Sequence, residues 1–285
     1  RPGAAYAADW WQQVYGLYET SFPGLSARIA LAERVGARWP EMTTPFVAFD
    51  GSRPVAHVGV IRHAMTLGGA KQVVAGVHGV CTDPAYRRRG LIRAVLAEAM
   101  AWAETWTTIA ELHTDDPPVY RSNGFAEVPT WRFFSDARPM PTATRALDPL
   151  GDPADAALLR ALLASRTPPS WVCACDDAGP MVLVDAAICG ALTNGGLRWL
   201  PEHAAIVAVT RHGDDRVIAD VIAETLPPIG VIRGAVAEDL PFSFPLDRLD
   251  ANARAVEAPS HIGVFMVRGR WPVTEPFGIS PLWEH

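Results

Sequence analysis

Lysine is almost missing from this chain. One stands among 285 residues, Lys71, so the 25 basic side chains are otherwise arginine. Against 31 acidic side chains they leave a formal net charge of −6. A protein that grips nucleic acid or an anionic membrane over a broad face needs a surplus of positive charge to displace counterions. This composition argues against that class, so neither nucleic acid nor membrane is expected as a partner. Mild acidity suits a cationic or neutral one. Cysteines number only four: Cys81, Cys173, Cys175 and Cys189. No CxxC pair or histidine tract completes a metal site around them, so no metal is expected, and they read as buried, reduced thiols of a cytoplasmic protein. Cys173 and Cys175 would share one face of a strand. No apolar run approaches the roughly 18 residues of a membrane-spanning helix. The opening, RPGAAYAADWW, lacks the apolar centre of a signal peptide, and a start at Arg rather than Met reads as trimmed. The phosphate loop GxxxxGK[ST] and the dinucleotide fingerprint GxGxxG are both absent, which disfavours a nucleotide triphosphatase or a nicotinamide enzyme.

What is present is ordinary globular material, 49% hydrophobic and 20% charged. At roughly 100–200 residues per domain, the length allows one large domain or two modest ones. Residues 8–22 read as a first helix, with Trp11, Val14, Tyr15 and Tyr18 at helical spacing. Ser26 reads as the N-cap of a second, ending before Trp39-Pro40. The period then shifts toward two. Strands are expected at 45–49, 54–65 and 72–82, joined by turns at 50–53 and 67–70. A helix from about Gly90 follows, then a strand at 108–113, a short helix at 117–123 and a strand at 125–134. Residues 137–153, rich in Pro, Thr, Arg and Asp, read as a linker. Beyond it a helix is expected at 154–165, with strands at 171–176, 181–191 and 204–210. A turn at 212–215 leads to a strand at 216–224. Helices at 229–238 and 246–256 and strands at 242–244 and 262–268 precede a tail rich in proline and aromatics. The fold class is mixed α/β (α+β), and the second half loosely repeats the element order of the first.

The most informative stretch is CTDPAYRRRGLIRAVLAEAMAWAE, from Cys81 to Glu104. A strand breaks at Asp83-Pro84 and feeds a helix near Gly90. The turn's N–H groups and the first N–H groups of the helix have no partners within the chain. They point outward at the positive end of the helix dipole, which suits a phosphate or pyrophosphate. Gly90 lets the backbone approach the anion, and Arg87, Arg88 and Arg89 add bidentate donors. By itself the string also reads as a solvated basic turn.

The run Val80-Cys81-Thr82-Asp83-Pro84-Ala85-Tyr86-Arg87-Arg88-Arg89-Gly90-Leu91-Ile92 resembles the acetyl-CoA-binding motif of the GNAT N-acetyltransferases. It departs at Ile92, where Gly or Ala is usual. Tyr120-Arg121-Ser122-Asn123-Gly124-Phe125 resembles a second element of that family, on its last helix. The resemblance implies a catalytic GNAT domain over 1–136 that binds acetyl-CoA as cosubstrate. The RRRGL spelling and the approach to Tyr120 are most similar to the Eis-type (enhanced intracellular survival) subgroup. That subgroup implies two tandem GNAT-like units, the second degenerate, here 154–285 with its tail. The implied activity is N-acetyl transfer to a primary amine of a small molecule or peptide, by direct attack through a tetrahedral intermediate. This is a GNAT-type acyltransferase moving groups other than aminoacyl groups. The other readings are a non-catalytic acyl-CoA-binding regulatory protein and an acyltransferase using a longer acyl donor.

The resemblance also assigns roles. Val80, Cys81, Thr82, Arg87, Arg88, Arg89, Gly90, Leu91 and Ile92 would hold coenzyme A, with the amide of Val80 or a neighbour as oxyanion donor. Tyr120 is the natural general acid, since an unperturbed pKa near 10 keeps it protonated. For the base, His78 stands two residues before Val80 and so is expected on the same side. Glu111, His113, Asp115 and Asp116 stand on or just past the adjacent strand, and a water relay needs none of them. Cys81 is expected to pack. Of the aromatics on the first helix, most are expected in the core, while the loop after it borders the acceptor. The tail, with Trp271, Phe277 and Trp283, would cap the second half or reach the first, where the terminal carboxylate could approach the site. A homo-oligomer is compatible with all of this, and the second half would shape its interface or the acceptor cleft. Aminoglycosides, lysine side chains and small polyamines are all admissible acceptors.

Overall fold

The structure, a computed structural model, describes residues 3–176, 179–193, 195–212, 215–236, 238–260 and 262–284. Helices α1 (Ala8–Glu19), α2 (Leu25–Arg34) and the single turn α3 (Trp39–Met42) precede a meander of β1 (Thr43–Asp50), β2 (Arg53–Leu67) and β3 (Ala70–Thr82). Next come α4 (Leu91–Ala103), β4 (Ala110–Thr114), α5 (Pro117–Arg121), β5 (Ala126–Glu127) and β6 (Trp131–Phe134). The second half supplies β7 (Arg145–Ala146), α6 (Pro153–Ser165), β8 (Cys173–Cys175), α7 (Pro180–Ile188), β9 (Leu197–Leu200), β10 (Ala205–His212), β11 (Asp215–Ala223), α8 (Ile229–Ala235), β12 (Arg254–Glu257) and β13 (Val264–Arg268).

A seven-stranded mixed sheet runs β1-β2-β3-β4-β13-β5, with β8 paired to the end of β2. A four-stranded sheet runs β11-β10-β9-β7, and β12 pairs with β6. Both hairpins of the meander are two-residue turns, Asp50 opposite Arg53 and Leu67 opposite Ala70, as the turn chemistry predicts. Helix α4 buries Val95, Leu96, Ala99 and Met100 against one face of the large sheet, around Val58, Val60, Val77 and Leu112. The other face joins a core shared by α1, α2, α6, α7 and the C-terminal tail. A third core lies between the four-stranded sheet and α8.

The sequence expectations fail where side-chain context overrides local pattern. Residues 181–188 are helix, not strand, because α7 packs against α2 and α3 with apolar groups all round, and such a run has no period to read. Residues 246–256 are not a helix. Asp250 accepts from the Ser135 hydroxyl at 2.5 Å and from Asn252 N–H at 2.9 Å, so local turns win and β12 follows. The strand at 125–134 splits into β5 and β6, on different sheets, across Pro129. Residues 242–244 form isolated bridges only, through Phe242 to Phe133 and Ile218. The N-cap of α2 is Gly24, not Ser26. The Glu19 carboxylate accepts from both Gly24 and Ser26 N–H, at 2.7 and 2.8 Å. Of the turn expected at 212–215, Gly213 and Asp214 lie outside the described residues, as does Ala237 at the end of the expected 229–238 helix.

Candidate active site

Strands β3 and β4 run parallel but pair only at Ala75–Ala110 and Gly76–Glu111, where Ala75 N–H donates to Ile109 O at 2.9 Å. Beyond that point the two strands no longer pair with each other, up to Thr82 and Thr114, while β2 and β13 occupy their other edges. The sheet therefore opens into a wedge, and alternation turns main-chain groups of β3 such as those of Val77 and Thr82 into it. The wedge belongs to a cavity of ≈ 820 Å³.

At its centre β3 carries a bulge. His78 stands opposite Gly59 and Cys81 opposite His57, so Gly79 and Val80 together face the single residue Val58. Gly79 takes φ +57°, and a Cβ there would lie 3.3 Å from the Tyr18 ring, so both conformation and space call for glycine. The extra residue breaks the two-residue alternation. Val80 packs with Val77 on the α4 side, whereas Cys81 packs in the core on the opposite face. His78 and Val80 therefore do not share a side, contrary to the expectation from simple alternation. The His78 ring is buried, with Nε2 2.7 Å from the Thr43 hydroxyl and its edge on Trp39, and it lines the cavity from that second face.

The arginine turn forms the other end. Asp83 is buried, accepts from Ala85 N–H at 2.9 Å and pairs with Arg53, which fixes the exit of β3. Arg87 reaches back to Thr82 O at 3.3 Å. Arg88 and Gly90 are left-handed, at φ +60° and +76°, and Gly90 caps α4. For Arg88 that conformation costs roughly 1–2 kcal/mol. Val80, Cys81, Thr82, Arg87 and Ile92 line the cavity. Arg88, Arg89 and Gly90 are exposed beside it, Arg89 lying over the Tyr86 ring at 4.8 Å, and Leu91, the first residue of α4, packs against the core between α4 and the sheet. Cys81 is buried and its thiol is pushed up to about 12 by burial, an effect Arg87 only partly opposes, so it stays an unreactive thiol.

Tyr120 enters from α5, buried in the cavity wall with its ring against Phe125. Burial pushes its hydroxyl up to about 12; the Thr114 hydroxyl beside it works against this, while Asp116 and Cys81 add to the rise. His113, Asp115 and Asp116 also line the cavity, the two aspartates exposed at its lip. Glu111 is not in the lining: its carboxylate is buried, 3.1 Å from His63 Nδ1. Ser21, Phe22 and Pro23, the loop after α1, form part of the wall together with Arg28. Asp185 of α7 and Glu284 of the tail complete it from the second half. Nothing in their local sequence marked these two, because only the tertiary fold brings α7 and the tail to β3. The tail reaches the first half, with Trp283 against the His63 ring at 5.8 Å. The terminal residue, His285, lies outside the described residues. Among the described residues no cluster of His, Cys, Asp and Glu is arranged to hold a metal, and no helix is long and apolar enough to cross a membrane.

Residues 5–128, which contain the wedge, the bulge, the arginine turn and Tyr120, match the acetyltransferase (GNAT) domain family. This part of the chain is similar in sequence to a GNAT acetyltransferase domain. Among curated proteins none matches the chain. Solved structures similar to it extend the GNAT fold over nearly all of its length. A probable N-acyltransferase from Enterococcus faecalis superposes with a TM-score of 0.61 at 13% identity, covering 93% of this chain and 71% of that one. A GCN5-related N-acetyltransferase from Anabaena variabilis gives 0.55 at 14%, covering 92% and 71%. Eis1 from Mycobacterium abscessus gives 0.53 at 14%, covering 93% and 71%.

Beneath the bulge of β3 lies a pair the sequence did not single out. His57 is fully buried, and its Nδ1 is 2.8 Å from Gly79 O. A carbonyl only accepts, so Nδ1 carries the proton and Nε2 accepts from the Tyr18 hydroxyl at 3.1 Å. Burial lowers the His57 pKa to about 4, with the Gly79 bond opposing. The native state thus holds a neutral ring that the unfolded chain would protonate below about 6.5. Stability from this group is complete above pH 6.5 and is lost as pH falls from there through 4, in all about 3 kcal/mol. Urea unfolding across that range should show this slope, and His57→Asn should flatten it.

Proposed function

We propose that the protein transfers an acetyl group from acetyl-CoA to a primary amine. The observation that carries this reading is the wedge between β3 and β4, an open strand edge running from beside Tyr120 to the arginine turn at the start of α4. Those features fit a long thioester with a diphosphate. Main-chain groups of β3 would pair along its amide arm. Arg87 and the amides of the turn, backed by Arg88 and Arg89, would face the diphosphate. An N–H at the bulge, that of Val80, is the natural donor to the thioester oxygen.

In the chemistry proposed, the neutral amine nitrogen bonds to the thioester carbonyl carbon and the carbon–sulfur bond breaks. The proton of Tyr120 goes to the leaving sulfur, and the amine proton leaves through His78, Asp115, Asp116 or water. Glu111, outside the lining and paired with His63, is not assigned this role. Cys81 forms no acyl intermediate, since its thiol remains protonated. Four carboxylates line the cavity (Asp115, Asp116, Asp185 and Glu284) against Arg28 and Arg87. They favour an acceptor with further positive charge. The similarity of both halves to Eis1 in fold supports an Eis-like arrangement, in which residues 154–285 supply a second, degenerate unit that walls the acceptor and lend β8, β13 and the tail to the first sheet and its core.

The test is thiol release from acetyl-CoA with a panel of primary amines, from polyamines and aminoglycosides to lysine peptides, alongside calorimetry with CoA. Micromolar CoA binding with amine-dependent release is expected. Tight CoA binding without release on any amine would favour the non-catalytic reading. Release only with longer acyl thioesters would favour the other donor.

A further inference from the structure

The bulge in β3 is held from below by two fully buried side chains that are not themselves part of the turn or of the cavity lining. The Tyr18 ring closes on the Cα of Gly79, and its hydroxyl sits 3.1 Å from His57 Nε2. His57 Nδ1 sits 2.8 Å from the Gly79 carbonyl. The Gly79–Val80 peptide unit therefore has its carbonyl end tied to an imidazole. Its other end is the Val80 N–H.

We propose that Tyr18 and His57 are positioning residues that fix the Gly79–Val80 peptide plane, and through it the direction in which Val80 N–H points at the thioester carbonyl. The inference rests on the acetyltransferase reading and deepens it. A peptide unit is planar, so a carbonyl pinned on one side sets the N–H on the other. Without the imidazole the left-handed Gly79 is free to turn, because glycine has no side chain to hold it. The Tyr18 hydroxyl acts one step back. It occupies Nε2 as acceptor, which keeps the ring proton on Nδ1, where the carbonyl needs it. Neither residue reaches substrate, and neither gains or loses a proton in the reaction.

The predicted signature separates this role from general packing. Asparagine offers an amide N–H near the place of Nδ1, while leucine fills similar space with no donor. In His57→Leu, kcat should fall roughly 10–100-fold, less than the roughly 10²–10³-fold of removing an oxyanion donor outright because the N–H is misaimed rather than lost, with CoA affinity unchanged within about twofold. His57→Asn should recover most of that loss, and Tyr18→Phe should fall between. A readout free of the acceptor is the infrared stretch of the ¹³C-labelled acetyl carbonyl in bound acetyl-CoA. It should shift to lower wavenumber on the wild type and on His57→Asn, and return toward the solution value on His57→Leu. Equal kcat and equal stretch in wild type and His57→Leu would overturn the inference. So would an asparagine variant no better than leucine. A wild type that binds acetyl-CoA and shifts its carbonyl but acetylates no amine would sink the proposed activity while leaving the clamp supported. A wild type that fails to bind CoA at all, seen by calorimetry beforehand, would sink both.

Discussion

Replacing Tyr120 with phenylalanine is expected to lower kcat about 10²-fold or more while leaving the KM for acetyl-CoA within about threefold. The ring would keep its edge contact with Phe125 and its place in the wall, so binding and fold should survive. The buried hydroxyl itself is worth about 1 kcal/mol of stability, too little to unfold the domain. What is lost is a proton held ready for the departing thiolate. Burial raises the Tyr120 pKa to about 12, so the group is protonated throughout the range in which amines are deprotonated. The wild-type pH–rate profile should rise as the acceptor amine loses its proton and should show no fall near pH 10, where an ordinary tyrosine ionises. A kcat unchanged in the variant, measured by thiol release at saturating acetyl-CoA, would make Tyr120 a packing residue and leave the thiolate to depart unaided.

Much of this site was legible because its parts are local. The turn from Asp83 to Gly90 is one contiguous string. The anion-facing character proposed for it rests on a strand end, a helix start and a glycine, all visible in order. The meander was equally readable from its period and its two-residue turns. The bulge was not. It adds one residue to β3 without any interruption in Val77-His78-Gly79-Val80-Cys81, and only the β2 register reveals it. That single residue moves His78 to the face opposite Val80. Asp185 and Glu284 were illegible for a different reason. The first lies in an apolar run that could be strand or helix, and the second in a tail whose course depends on what it packs against. His57 looked like a polar residue on a strand interior, and its partners are 22 and 39 residues away.

The large sheet is also built non-locally, and this leads to the second strong expectation. A chain ending at residue 136 is expected not to fold, although the family match ends at 128. Strand β13 pairs with β4 along five residues, Ala110 to Thr114, and with β5 at Ala126 and Glu127. Without it β4 would keep only its two pairings to β3 and β5 would keep none in the sheet. Phe265, Met266 and Val267 are buried on both faces of the sheet, and each such side chain contributes about 1.5–3 kcal/mol. Strand β8 covers the end of β2, and Phe277, Leu282 and Trp283 fill the core beneath the sheet. Removing all of these takes away more than the roughly 5–15 kcal/mol by which a domain is normally stable. The buried His63–Glu111 contact would also lose the Trp283 ring beside it. Circular dichroism and proton–nitrogen correlation spectra of the 1–136 fragment should show a chain without fixed tertiary structure. In the intact chain Trp283→Ala should lower stability by about 3–5 kcal/mol in a single transition sensed by tryptophans of both halves. A fragment that folds and binds CoA by itself would instead make residues 1–136 an autonomous unit, with β13 an edge strand that the first sheet can do without.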